Sequence, residues 1–529
     1  MSEPRVVSTP VALPNAARRA AEGGTAAPWY VPVPRGGAEW RARVAAVREE
    51  FAGRGRGWAE VLAPAFAASG AAAARLARAA SGTGIVVTTG QQPGLFGGPV
   101  YTWSKALSAI ALADAIEDAT DIPTVPVYWA ATYDADFAEA GVTHVAADGR
   151  VLTLKSQAPA ISGRGMRDTP LGDVRALFES LASTAGAAAA PQVLDLVRQA
   201  YRPGETVGGA FVTLLRALLE PLGMPVLDAG HPAVLAAQRP LLLRALGEAP
   251  VVDAALRARD QALRDSGSEP QVAYVPTLSL VFASGTGERQ RIRIGAAPDG
   301  AAALEPNVLL RPVSERAILP TAAYVAGPGE LAYFAQSTAV ADALRVSRPL
   351  AVPRWSGVII EPHVQRILDR YDLGLDDLRD PHAALGRLVR ARVPLGVRSA
   401  LDHYRAALEE AASRLSDAVA QGTPPLVSPG VVDGVRHNIG HRLDRLGRRV
   451  LAATKRREME LAHHIAVARA SLFPLDQPQE RMLNLMPMLA RHGMPLLDAM
   501  LDRARAHVDS LGLPSAGRAT ASQQAGGGR

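Results

Sequence analysis

The segment Thr89-Gly90-Gln91-Gln92-Pro93-Gly94-Leu95-Phe96-Gly97-Gly98-Pro99-Val100-Tyr101 has the residue types of an anion-binding turn. A glycine-rich passage from a buried strand into a helix lets backbone N–H groups approach a negative charge at the positive helix end. Gly90, Gln91, Gln92 and Gly94 are therefore candidate substrate-binding residues. A plain turn from strand to helix would use the same glycines. No Gly-Lys-Ser/Thr follows, and the spacing is not Gly-x-Gly-x-x-Gly, so neither common nucleotide fingerprint is present. Lys105, early in the following helix, is a candidate for reaching an anion held in the loop. A solvated surface lysine is the plainer reading.

Two carboxylates, Asp134 and Asp136, come just after a second buried run. Acids beyond a strand end are placed to bind an amine or take a proton, and they are equally ordinary helix caps. A third group is Asn307 to Pro312 followed by Gly327-Pro328-Gly329-Glu330. Arg311 could clamp a carboxylate, Gly329 lets the backbone come close to a ligand, and Glu330, Tyr333 and Gln336 share a helix face. A basic stretch that includes Arg449, Lys455 and Arg456 suits nucleotide phosphates or simply a solvated helix face. His437 and His441 are spaced i, i+4 with no third ligand, so no metal site is expected.

The elements that must position these groups follow from the apolar pattern. Ile85 to Thr89 and Val125 to Ala130 are short buried strands flanking a helix over Tyr101 to Ile116, a βαβ unit with a parallel sheet. Glu39 to Ala80 reads as largely helical with a break at Pro64. Pro225 to Asp228 is a further strand, and 272–282 with 290–295 form a strand pair. Leu401, Tyr404, Leu408, Ala411, Leu415 and Ala418 follow a 3,4 alternation. Val432, Ile439, Leu443, Leu446, Val450 and Ala453 repeat it beyond a Gly/Pro loop. That is the seam of an antiparallel helical hairpin. The expected fold is α/β: a Rossmann-like parallel-sheet core with a C-terminal antiparallel helical coiled-coil module. The expected boundaries are an N-terminal arm and helices over 1–80, with residues 1 to about 27 loosely held, the core with insertions over 81–375, and the hairpin over 376–470. A segment packing on the core follows over 471–515, then a disordered tail over 516–529.

Composition narrows the function classes. The 529 residues contain no cysteine, which excludes disulfides, Cys-based metal sites and a thiol nucleophile. Lys and Arg total 57 against 51 acids, a slight excess for this length and too small to point to nucleic acid. No apolar run long enough to span a bilayer and no signal peptide is evident, so a cytoplasmic protein without a membrane partner is expected.

Three segments together resemble the bacillithiol-biosynthesis cysteine ligase (BshC) family. They are Thr89-Gly90-Gln91-Gln92 through Pro99, Pro126-Val127-Tyr128-Trp129 ending in Asp-x-Asp-Phe, and Leu310-Arg311-Pro312 through Gly327-Pro328-Gly329-Glu330-Leu331-Ala332-Tyr333. Pro478-Gln479-Glu480-Arg481 with Asn484 is a weaker fourth. The resemblance implies a core related to class I aminoacyl-tRNA synthetases and a coiled coil supporting a homodimer. It also implies addition of cysteine to glucosaminyl-malate, the last step of bacillithiol synthesis. The small-molecule substrates would then be cysteine and glucosaminyl-malate. No tightly bound cofactor is expected, with ATP or ADP as the nucleotide, activating a carboxylate as an adenylate or acyl phosphate. A second nucleotide pocket near the coiled coil would suit Arg449, Lys455 and Arg456. Lys105, Asp134 and Asp136 are the catalytic candidates.

The sequence departs from the family pattern at one telling place. Where the family reads Glu-Asp-His-Asp-Phe, this chain reads Tyr133-Asp134-Ala135-Asp136-Phe137. A catalytic imidazole at 135 is excluded, leaving Asp134 or Asp136 to act as base. Two functions fit: a ligase on cysteine and an amino-sugar malate or related amine, or a non-catalytic, nucleotide-binding dimeric scaffold.

Overall fold

The computed structural model describes residues 3–53, 57–81, 84–157, 163–284, 288–300, 302–421 and 427–513. The tail expected over 516–529 lies outside the described residues. Two compact units are present. The first comprises the described residues up to Val145, Leu152–Ile359, and those from Pro478 onward; the second comprises Ala146–Val151 and Ile360–Gln477.

Five parallel strands build the first unit: β1 (Ile85–Gln91), β2 (Thr124–Ala130), β3 (Val226–Asp228), β4 (Thr321–Ala326) and β5 (Ala351–Pro353). Their spatial order is β5-β4-β1-β2-β3. The chain thus starts mid-sheet, winds outward through β2 and β3, then returns to lay β4 on the other side of β1. This is the Rossmann arrangement, and its switch point lies between β1 and β4. Every residue of β2 is buried and β1 is buried up to its last residue, as a strand covered on both faces must be. Helix α1 (Val100–Thr120) crosses from β1 to β2 and is buried nearly all round. The helix Met494–Ser510 packs on it. Helix α2 (Arg311–Ile318) precedes β4, and helix α3 (Pro328–Ala343) follows it.

The expected strand pair is a three-stranded antiparallel sheet: Leu278–Ser284 in the middle, flanked by Gln290–Arg293 and Ala303–Pro306. Two expectations are corrected. The N-terminal arm is not loosely held, since Arg5–Ser8 pairs with Gly357–Ile360 and the Trp355 indole donates to Ser8 Oγ at 2.9 Å. The helical stretch over 39–80 does not break at Pro64, which lies inside the helix Trp58–Phe66; that helix ends where Ala67 turns left-handed.

In the second unit, Leu395–Ala420 and Pro429–Arg457 form the hairpin. Ion pairs Arg405–Asp444 at 2.6 Å and Arg436–Glu409 at 3.6 Å fix its direction as antiparallel, because the later residue of one helix meets the earlier residue of the other. Its seam is only partly closed. Val432 and Leu443 are buried, while Tyr404, Leu415 and Leu446 stay exposed. No described helix is long and apolar enough to cross a membrane.

Candidate active site

A cluster of buried charges sits where β1 and β4 part. Glu330 is the third residue of α3, and its carboxylate accepts the Gly327 N–H at 2.8 Å, closing the start of that helix. The same carboxylate lies 2.7 Å from the Lys105 ammonium and accepts the Tyr324 hydroxyl. Arg311 stands 3.7 Å away, pairs with Glu315 at 3.1 Å and donates to the Tyr333 hydroxyl at 3.0 Å. Its guanidinium lies over the Tyr324 ring, 4.7 Å from the centroid. Thr88 on β1 donates to Glu315. Lys105 completes its set with the Gly90 carbonyl and Gln91 Oε1 at 3.3 Å.

Burial and pairing oppose each other in this cluster. Burial drives Lys105 down to about 8 against the pull of Glu330. Burial alone would raise Glu330, but Lys105 and Arg311, with hydrogen bonds from Lys105 and Tyr324, bring it below the usual carboxylate range. Glu315 is pushed up to about 7 by burial, which outweighs Arg311. At neutral pH Lys105 and Glu330 are a true ion pair, each saturated by the other and by the backbone.

Above this floor opens a cavity of about 420 Å³, a size suited to a small ligand. The β1 end gives Gly90, Gln91 and Gln92, and the β2 end gives Trp129, Ala131, Tyr133 and Asp134. Arg311, Glu330 and Tyr333 come from α2 and α3, and the antiparallel sheet adds Phe282, Arg289 and Arg291. This is the crevice beyond the strand ends in which open α/β sheets take ligands.

The expected residues therefore divide. Gly90, Gln91, Gln92, Asp134, Arg311, Glu330 and Tyr333 line one cavity, and Lys105 lies beneath it with its donors engaged. Gly94 does not line it. Its carbonyl accepts the Tyr201 hydroxyl at 3.0 Å, and its Cα packs where a side chain would meet Gly98 at 2.9 Å. The anion cradle expected at the helix start is filled by the protein itself. Gly97 and Gly98 N–H turn back to Gly94 and Leu95, Val100 N–H donates to the Leu483 carbonyl, and Asn484 Nδ2 reaches the Phe96 carbonyl at 3.0 Å.

Asp136 is exposed and caps the short helix Phe137–Ala140 through Glu139 N–H at 3.2 Å. Gln336 is buried behind the cavity, where its amide bonds Asp260 at 2.8 Å and both backbone groups of Val272 at 3.0 Å. Gly329 is exposed, with open space where a Cβ would sit. Arg449, Lys455 and Arg456 are exposed on the Pro429–Arg457 helix, and no acid pairs with them among the described residues. Their charge suits a phosphate, as it also suits the negative end of a helix. Tyr324, Glu315, Arg289 and Arg291 were not singled out from sequence. For Tyr324 a signal existed, a lone aromatic in an apolar run just before a Gly-Pro-Gly turn.

Known proteins are similar to this chain in sequence. Residues 38–355 match the family described as bacillithiol biosynthesis BshC, N-terminal Rossmann-like domain, and 357–508 match its C-terminal coiled-coil domain. The chain belongs to the BshC family. Relatives bearing the name "Putative cysteine ligase BshC" include one from Solibacter usitatus, 32% identical over 80% of this chain and 82% of its own. One from Koribacter versatilis is 32% identical over 84% and 86%, and one from Thermus thermophilus 32% over 78% and 84%. Within this BshC chain, Ala135 offers no imidazole, and its N–H donates to Asp134 Oδ1 at 2.7 Å.

Proposed function

We propose that this BshC member is a ligase that joins the carboxyl group of cysteine to the amine of glucosaminyl-malate, completing bacillithiol. The observation that carries the reading is the cavity at the switch point, floored by the Lys105–Glu330–Arg311 cluster and bordered by Asp134. Amide formation from a free carboxylate in water is uphill, so a nucleoside triphosphate is the co-substrate that activates it. The sugar amine then attacks the activated carbonyl carbon, the C–N bond forms, and the bond to the activating group breaks. Asp134 takes the proton that the nitrogen loses as it becomes acidic. Lys105 acts as a positioning residue, holding Glu330 and the Gly90 carbonyl in place. The exposed seam residues Tyr404, Leu415 and Leu446 support a homodimer in which a second copy covers them. Light scattering is expected to give twice the chain mass at micromolar concentration, and a monomer contradicts the dimer.

Deleting the gene tests the reading in the cell. The expected result is loss of bacillithiol with accumulation of glucosaminyl-malate. An unchanged thiol pool contradicts it.

A further inference from the structure

Following each charge on the cavity wall to its partner leaves two without one. Arg289 pairs with Glu305 at 2.7 Å, and Arg311 with Glu315 at 3.1 Å. Glu330 holds Lys105. Arg291 differs from the other cations. Its Nε donates to the Ser279 carbonyl at 2.7 Å, and among the described residues no carboxylate pairs with its half-buried guanidinium. Asp134 mirrors it. Its carboxylate accepts only backbone N–H groups, from Ala135 at 2.7 Å and Asp136 at 3.3 Å, and no described cation pairs with it. A partly desolvated guanidinium with no counter-charge is costly, and burial accordingly lowers the Arg291 pKa. An arriving carboxylate would remove that cost.

We propose that Arg291 and Asp134 form the recognition pair of this cavity, Arg291 taking a carboxylate of the ligand and Asp134 its ammonium. The inference rests on the cavity being the ligase's substrate site and names how that site selects. The residues stand on different walls, one on the antiparallel sheet and one beyond β2. The pair thus prefers a molecule carrying an acid and an amine over one carrying either alone. Cysteine and an amino-sugar malate both have this chemistry, and binding measurements distinguish them.

Titration calorimetry with cysteine, malate and glucosaminyl-malate, with no nucleotide and no turnover, tests the pair. Wild-type protein is expected to bind glucosaminyl-malate at least about tenfold more tightly than malate. Arg291→Gln should weaken both malate and glucosaminyl-malate by about 10- to 100-fold, the range of a hydrogen bond to a charged group. Asp134→Asn should weaken glucosaminyl-malate and leave malate unchanged. Losses confined to cysteine in both variants would support the pair and identify cysteine as its ligand. Arg291→Gln binding all three ligands with wild-type affinity would overturn it, as would wild-type protein that binds none at millimolar concentration. Should Arg291→Gln melt early, the Asp134→Asn comparison of malate with glucosaminyl-malate decides alone. Normal turnover and KM in Arg291→Gln would sink the pair while leaving the ligase reading intact.

Discussion

Lys105 and Arg291 are cations at the same cavity, and they are held in opposite ways. Lys105, 1% exposed, meets Glu330 at 2.7 Å and a ring of backbone and side-chain oxygens. Arg291 has one backbone carbonyl and, among the described residues, no carboxylate. A saturated buried ion pair sets geometry, because breaking it strands a charge, whereas a cation left short of counter-charge has affinity to offer a ligand. The floor of the site is therefore a scaffold, and the wall is where recognition belongs.

The comparison breaks most visibly at the floor. Glu330→Gln leaves Lys105 buried beside a neutral amide, and the expected loss is about 3–5 kcal/mol of unfolding free energy. Denaturant titration measures it, and a change under about 1 kcal/mol would mean that the pair is not the anchor. Arg291→Gln should leave the same titration nearly unmoved.

Glu315 tests the floor through pH. Its folded-state pKa of about 7 lies above the ordinary 4.5, so its contribution to stability is fully present below about 4.5 and is lost as pH rises through about 7. The loss is on the order of 3 kcal/mol. Unfolding of the wild type at pH 4.5 and pH 8 should show this slope, and Glu315→Gln should flatten it. Equal slopes in the two proteins would contradict the assignment.

Smaller effects separate the two aspartates. Asp136→Ala removes a helix cap and is expected to cost about 1 kcal/mol, with kcat/KM kept within about twofold. Asp134→Asn should leave stability within about 0.5 kcal/mol and lower kcat. If Asp136→Ala proves the more damaging to kcat, the base has been assigned to the wrong carboxylate. Gly329→Ala, at an exposed position with room for the methyl, should change neither property.

How much of this was legible in the sequence depended on where the deciding interactions lie. β1 and β2 announce themselves through Ile85-Val86-Val87 and Val125 to Trp129, runs whose side chains suit a buried strand. β4 did not. Thr321-Ala322-Ala323-Tyr324-Val325-Ala326 is half alanine, a good helix former, and it is a strand because β1 and β5 pair with it on either side. With β4 unread, Tyr324 and the approach of Arg311 to Glu330 could not be foreseen.

The glycine loop was read correctly as a turn leading into a helix, and its first half does line the cavity. Its second half is closed by Leu483 and Asn484, some 390 residues further along the chain, and local spacing carries no trace of that contact. Likewise Arg289-Gln290-Arg291 looks like a solvated strand edge. Which arginine is neutralised depends on Glu305, which the neighbouring strand Leu278–Ser284 brings alongside through its pairing with Ala303–Pro306.

The account stands or falls on whether this cavity makes an amide. Purified protein incubated with glucosaminyl-malate, cysteine and ATP, followed by mass spectrometry, measures that directly, with Asp134→Asn as the parallel sample. The prediction is a product mass equal to the two substrates less one water from the wild type, and at least about tenfold less from Asp134→Asn. Folded wild-type protein that binds nucleotide yet releases no product would contradict it and favour a dimeric scaffold, in keeping with the alanine at position 135.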